Sequence, residues 1–181
     1  FILVDGIKIW AQRLSYVGEL GYELYVETKN AKKIYELIMK KGKEFNLCNC
    51  GMHAMDIMRM ESGFLHWGHD ISPEENQHQA GLSFTISSKK EVNFIGKQSL
   101  EKIKEDKIKT RFSMFILKDS EPGKPLLLHD EPIYEGKKII GKSTSGNYSF
   151  NFKKNLVFGY INNNFSNEEL QNKNLFIEVE K

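Results

Sequence analysis

The sequence predicts an α+β region followed by an all-β region, and three observations carry that reading. Apolar residues recur twice at helical spacing before residue 63. Short alternating runs flank those segments. After Val92, Arg111 to Leu117 alternates with period two and further short strand-like runs lie between glycine- and proline-containing turns. The composition shift over Ser87–Val92 places the division, giving an α+β domain over 1–90 and an all-β domain over 91–181.

The chain opens as strand. "FILV" meets the Asp5-Gly6 turn signal, and Ile7 to Leu14 continues as a second strand. Tyr22 to Val26 alternates, with Tyr22, Leu24 and Val26 on one face and Glu23 and Tyr25 on the other. Gly18 and Gly21 bend the connection. Ala31, Ile34, Tyr35 and Ile38 then mark a helix, with Thr28 or Asn30 as cap and Lys40, Lys41 and Gly42 as its end. Gly51 opens a second helix, "MHAMDIMRMES", ending at Gly63. Its methionines read as adaptable core filling or as a ligand surface, and Asp56 and Arg59 are spaced as an intrahelical pair.

A long irregular stretch, "FLHWGHDISPEENQHQA", precedes "GLSFTI", which reads as strand. A short helix is expected over Gly96–Ile103. Arg111 to Leu117 alternates, with Phe112, Met114 and Ile116 on one face. "EPIYEGKKIIGKSTSG" reads as two strands around Glu135-Gly136, Pro132 suggesting an edge. "LVFGYI" and "LFIEVE" are further strands.

Composition narrows the function classes. Of 181 residues, 40% are hydrophobic and 28% charged, which fits a buried core rather than disorder. The net charge of +2, from 26 basic and 24 acidic residues, argues against nucleic acid or an anionic membrane as partner. No apolar run reaches the length of a membrane span. Cys48 and Cys50 define neither a disulfide framework nor a zinc ribbon, and a reducing compartment is the default. No Walker loop, dinucleotide fingerprint or nucleophile elbow occurs.

Two clusters remain. His66, His69 and Asp70 in "HWGHD", with His78 nearby, have the residue types of a metal site. Without a helix to align them or a clear third ligand, the favoured reading is a hydrogen-bonded turn with Trp67 packed on the core, and no metal is expected. Glu23 is the second. Beside Tyr16 and Tyr25 it is solvated, or paired with Arg13, or it accepts two parallel N–H donors from a flat heterocycle stacked on tyrosine. A carboxylate suits such a fork because its two oxygens share one plane.

"SYVGELGYELYV", "GMHAMDIMRMESGFLHWGHDI", "NFIGKQSL" and "STSGNYSFNFKKNLVFGYI" occur in this order. Together they resemble the folate-binding region shared by the glycine-cleavage T-protein (aminomethyltransferase) and the dimethylglycine and sarcosine dehydrogenases. "GELGYELYV" and "HWGHDI" resemble the dehydrogenase branch more closely. The resemblance implies an aminomethyltransferase-type folate-binding α+β domain, present in part, followed by a small β-barrel. It implies that Tyr16 and Glu23 touch the pterin of tetrahydrofolate and that Arg111 holds its polar groups or glutamate tail, the bland alternative being a solvated strand-end arginine. A T-protein arginine falls on Met55, and an aromatic position near the ligand falls on Phe84, which a core role would equally explain.

The family's catalytic aspartate precedes the first of these motifs, so no catalytic residue is expected within this chain. A flavin domain binding FAD, found N-terminal in the dehydrogenases, has no counterpart here. The implied reaction passes a one-carbon unit from an oxidised N-methyl amine to tetrahydrofolate. With half of the site absent, weak folate binding and little turnover are expected of the chain alone. A free-standing aminomethyltransferase and a non-catalytic module keeping the fold are the alternatives. The expected compartment is the cytoplasm, or the mitochondrial matrix in a eukaryote.

Overall fold

A computed structural model describes residues 1–87, 91–103, 108–162 and 165–179. Contacts divide the chain into two units, Phe1–Phe64 and Leu65–Lys181.

In the first unit β1 (Ile2–Val4), β2 (Ile7–Gln12) and β3 (Glu23–Tyr25) form an antiparallel sheet in chain order. Asp5 and Gly6 both have positive φ, 50° and 78°. That is the backbone of a primed two-residue turn, whose twist matches that of the strands it joins. Register sets Trp10 opposite Tyr25 and Gln12 opposite Glu23. Helix α1 (Thr28–Gly42) follows, with Ile34 buried. Neither expected cap acts: Glu27 precedes the helix and makes no side-chain cap bond. Nor does Gly42 end it with a left-handed turn. A 3-10 turn, Lys43–Phe45, continues the spiral until Asn46 stops it at φ 56°. Helix α2 (Met52–Glu61) begins after Gly51 and buries Arg59 and Met60. Met60 is core filling, whereas Met52 is exposed.

The second unit is built on a five-stranded antiparallel sheet, ordered β4-β7-β6-β5-β8. Its strands are β4 (Thr110–Ile116), β5 (Pro132–Glu135), β6 (Lys138–Ser149), β7 (Lys154–Asn162) and β8 (Leu175–Ile177). Asn155 to Ile161 of β7 are all buried, because both faces of this central strand are covered. One face carries Ile133, Ile140 and Ile161, joined by Phe115, Leu170, Leu175 and Ile177. On the other, Phe112 meets Phe158 and Tyr160 edge-on, at centroid distances of 5.2 and 5.7 Å.

Two short helices, α3 (Lys97–Glu101) and α4 (Asn167–Gln171), complete this unit. Ser166 and Glu169 form a reciprocal capping box on α4.

Three local expectations are corrected. "GLSFTI" is a 3-10 turn over Ser83–Thr85, not a strand, because the Thr85 amide and hydroxyl both bond back to the Leu82 carbonyl. Pro132 does not mark an edge. It is the first residue of β5, between β6 and β8, where its missing N–H breaks no interior bond of the ladder. Trp67 does not pack on the core but is 66% exposed. Ser88–Lys90, inside the expected division at Ser87–Val92, and Glu180 of the last expected strand lie outside the described residues.

Candidate functional site

Tyr16 and Glu23 belong to the first unit and Arg111 to the second. The segment before β3 is shaped by close packing. A Cβ on Gly18, where φ is 74°, would sit 1.9 Å from Ser62 Oγ, and Ser62 Oγ in turn donates to the Val17 carbonyl at 3.3 Å. This leaves Tyr16 half-buried and stacked on Phe64, with centroids 6.2 Å apart and planes 23° from parallel.

Glu23 starts β3, half-buried. Its Oε2 accepts the Tyr25 hydroxyl at 2.5 Å, two residues along the same strand face. The hydrogen bond raises the Tyr25 phenol above its ordinary pKa, since the neutral phenol is the donor. Tyr25 also lies against Trp10, at 5.0 Å, and Trp10 against Phe1, at 6.3 Å. The carboxylate thus sits at one end of an aromatic row. Of the three options for Glu23, pairing with Arg13 is not adopted among the described residues, and Tyr25 is its polar partner.

Arg111 lies in β4 opposite Ile161. Its Nη1 donates to Asn167 Oδ1 at 3.0 Å, while Nε and Nη2 are buried with no partner among the described residues. Unpaired buried guanidinium donors cost free energy unless an anion or carbonyl meets them. Arg111 borders a cleft of 310 Å³ that is also lined by His78, Gln79, Gly81, Ser83, Ile108 and Phe112. The cleft wall is pinned to β4 through Gln79: its carbonyl accepts from Phe112 N at 2.7 Å and its Nε2 donates to Thr110 Oγ1 at 3.1 Å. His78 Nδ1 is 2.9 Å from Ser83 Oγ. Sequence reasoning missed Gln79 as a positioning group. Its signal was slight, an Asn76-to-Gln79 spacing inside an irregular loop, where Asn76 bonds the Gln79 side chain at 2.8 Å.

The "HWGHD" turn is held by hydrogen bonds. The His66 and His69 rings are 4.5 Å apart. Asp70 is 1% exposed and turns inward, accepting from Thr144 Oγ1 at 2.5 Å, Ser145 Oγ at 2.7 Å and His66 N at 2.8 Å. Among the described residues no group of three His, Cys, Asp or Glu is arranged to hold a metal ion. Phe84 is 82% exposed, so the core alternative for it fails. Met55 is half-buried in α2. Arg59 bonds Asp56 at 2.8 Å, as its spacing implied, and also the Phe64 carbonyl at 3.1 Å. No helix among the described residues is long and apolar enough to cross a membrane.

Comparison with known proteins matches both units. The family profile "GCVT N-terminal domain" matches residues 1–90, and "Glycine cleavage T-protein C-terminal barrel domain" matches residues 111–180. Mitochondrial dimethylglycine dehydrogenase from Homo sapiens is 36% identical over 160 residues, covering 87% of this chain and 18% of that protein. Aminomethyltransferase from Halothermothrix orenii is 33% identical over 158 residues, covering 87% of this chain and 43% of that one. The crystal structure of the glycine cleavage system aminomethyltransferase T from Bartonella henselae superposes with a TM-score of 0.69 at 22% identity, over 84% of this chain and 41% of that one, which shows a common fold. The chain therefore spans about a fifth of the dehydrogenase and less than half of either aminomethyltransferase.

Proposed function

Because the chain belongs to the glycine-cleavage T-protein family, we propose that it is the folate-binding part of a sarcosine/dimethylglycine dehydrogenase-like enzyme. That enzyme passes a one-carbon unit from an oxidised N-methyl amine to tetrahydrofolate. The observation that carries this reading is the Glu23 carboxylate, oriented by Tyr25 on an aromatic strand face. A pterin presents an exocyclic amine beside a ring N–H, the fork that a carboxylate accepts. Tyr16 is assigned to packing against the pterin ring. Arg111, with two buried donors that meet no partner among the described residues, is assigned to the carboxylate tail. Both groups suit folate: Glu23 offers an acceptor for its N–H edge and Arg111 a cation for its anionic end.

When bound, tetrahydrofolate supplies the nucleophilic nitrogen that takes up the one-carbon unit. The residues of this chain orient it, and such positioning lowers the barrier by removing orientational freedom beforehand. Proton transfer is assigned to the family's aspartate, which has no counterpart in these residues, and FAD to a separate domain. The amine substrate and that flavin domain are the proposed partners, with neither nucleic acid nor membrane among them. We place the domain division near 90/91 and the protein in the cytoplasm, or in the mitochondrial matrix of a eukaryote.

The second reading is a free-standing aminomethyltransferase, favoured by the 33% match to that enzyme. Met55, standing where the T-protein resemblance expects arginine, weighs against it.

Isothermal calorimetry with tetrahydrofolate tests the assignment. Weak binding by the native chain, reduced about tenfold or more in Glu23→Ala, is expected from losing a charge-assisted bond. Equal binding by both would remove Glu23 from its role. Failure of both to bind would leave the non-catalytic module as the better reading.

A further inference from the structure

Two free thiols, Cys48 and Cys50, lie exposed in the connection between α1 and α2, and the proposed reaction uses neither. That connection is pinned at both ends. The Leu47 N–H bonds the Gly42 carbonyl at 3.0 Å, and the Leu47 side chain packs so closely that a Cβ on Gly42 would lie 2.3 Å from its Cδ2. At the other end the Gly51 carbonyl accepts from the Ala54 and Met55 N–H groups at 3.1 and 3.3 Å. Between these points Cys48, Asn49 and Cys50 make no backbone–backbone hydrogen bond among the described residues. Their anchor is a side chain: Asn49 Nδ2 donates to the Tyr35 hydroxyl of α1 at 2.8 Å.

Spacing decides what the two sulfurs can do. Residues i and i+2 of an extended run share a face, with Cα atoms about 6.6 Å apart. A disulfide spans Cα separations of about 4.4–6.8 Å and favours about 5.5–6 Å. Alternate cysteines therefore reach one another after a slight bend at the residue between them. A backbone held in a ladder would resist that bend, whereas this one has no ladder to break. Asn49 is tied to α1 while both flanking thiols are exposed, the alternation that leaves the sulfurs together on the open side. The ring so formed is small and exposed. Such bonds are strained and easily reduced, and they belong to the labile class rather than the structural one. A metal ion suits the pair less well, since among the described residues no group of three His, Cys, Asp or Glu is arranged to hold one.

We propose that Cys48 and Cys50 form a reversible redox site, closed to a disulfide by exchange with a small disulfide of the glutathione type. One cysteine thiolate attacks a sulfur of the oxidised reagent. The reagent's S–S bond breaks, a mixed disulfide forms and one glutathione thiolate leaves. The second cysteine thiolate then attacks the protein sulfur of that mixed disulfide and expels the second glutathione. The two thiol protons end on the two glutathione molecules, and two electrons pass from the protein to the reagent. In a reducing compartment the pair rests open as thiols. The site shares no residue with the folate assignment, so either can fail alone.

The test treats the chain with oxidised glutathione and follows the intact mass. A short linker gives the second thiol an effective concentration of about 1 mM or more. Against about 0.1 mM reagent and about 10 μM protein, ring closure should exceed capture of a second glutathione about tenfold and dimer formation about a hundredfold. The main product is then a monomer lighter by two hydrogens and free of adduct, and excess reduced glutathione restores both thiols. Both positions are exposed, so serine leaves the fold intact. Cys50→Ser should retain one glutathione on Cys48, and Cys48→Ser one on Cys50, because each lacks the thiol that would expel it. Four outcomes overturn the proposal: no oxidation, glutathione retained on both cysteines of the native chain, a disulfide-linked dimer as the main product, or a ring that excess reduced glutathione leaves closed.

Discussion

Ser145 Oγ donates to Asp70 Oδ1 at 2.7 Å, joining residues 75 apart in sequence. The bond fastens the histidine-bearing turn to β6, and Thr144 and the His66 amide donate to the same carboxylate. Asp70→Ala would strand buried donors, and a loss of about 2–4 kcal/mol in unfolding free energy is expected. Asp70→Asn should cost less. Its oxygen can still accept from His66, and the two hydroxyls can rotate to accept from the new amide. Urea unfolding followed by circular dichroism ranks the three chains, and equal loss in both variants would remove hydrogen bonding as the reason.

Gly141 and Gly159 let β6 and β7 approach closely. A Cβ on Gly141 would lie 2.1 Å from the Tyr160 carbonyl oxygen, and one on Gly159 would lie 2.4 Å from that of Lys142. Both obstacles are backbone, so neither can swing aside. Alanine at either position is expected to cost about 1–3 kcal/mol, the usual range for overpacking. Alanine at Gly136, where nothing lies within 4 Å but φ is 60°, isolates the conformational penalty alone. Thermal unfolding of the three variants checks the order.

How far these features could be read in advance depended on range. The Asp5-Gly6 hairpin, the two helices and the strands after residue 110 follow from local spacing, and the structure holds them. Tyr25 stood on the same predicted face as Glu23, so their contact was within reach of alternation alone. "GLSFTI" misled because a short apolar run cannot distinguish a strand from a turn, and Gly81 with the Thr85 back-bond chose the turn. Pro132 misled because edge and first-residue positions relieve proline equally. Arg111 read equally as a ligand-holding arginine, by the family resemblance, and as a solvated strand-end one. Its buried donors depend on Gln79, held to Thr110 across 31 residues, and no local pattern encodes that approach.

Tyr160 should lose nothing as phenylalanine. Its hydroxyl is buried with no partner among the described residues, and burial, with Glu75 and Asp70 adding repulsion of the phenolate, raises its pKa above the usual range. Removing an unsatisfied buried hydroxyl while keeping the ring's contact with Phe112 is expected to leave stability unchanged or raise it by up to about 1 kcal/mol. In a chain of this size that is a rise in Tm of about 2–4 °C. A clear fall would reveal a partner for the hydroxyl.

Arg111 offers a separable test of folate recognition. Arg111→Ala is expected to weaken binding of tetrahydrofolate, because the tail carboxylate loses its cation. It should spare a pterin lacking the p-aminobenzoylglutamate portion, which has no tail carboxylate for a guanidinium to hold. Calorimetry with both ligands gives the comparison. Equal weakening for the two would assign Arg111 to the pterin end or to the fold.

The Glu23–Tyr25 contact carries a pH signature of known sign. The carboxylate favours the neutral phenol and so raises the Tyr25 pKa above its unfolded value of about 10. A group raised in this way contributes its stabilisation in full below the unfolded value. The contribution disappears as pH climbs through the higher folded value, because the phenolate no longer donates and is repelled by Glu23. Carbon NMR of labelled tyrosines, with Tyr25→Phe to assign the signal, should show Tyr25 ionising later than a free phenol. In Glu23→Ala it should fall back toward the ordinary value, while Tyr134, whose own raised pKa comes first from its bond to Glu178, stays where it was. A Tyr25 titration indifferent to Glu23 would mean that the bond is not populated in solution, and the carboxylate would then lack the orientation that its assigned grip on the pterin requires.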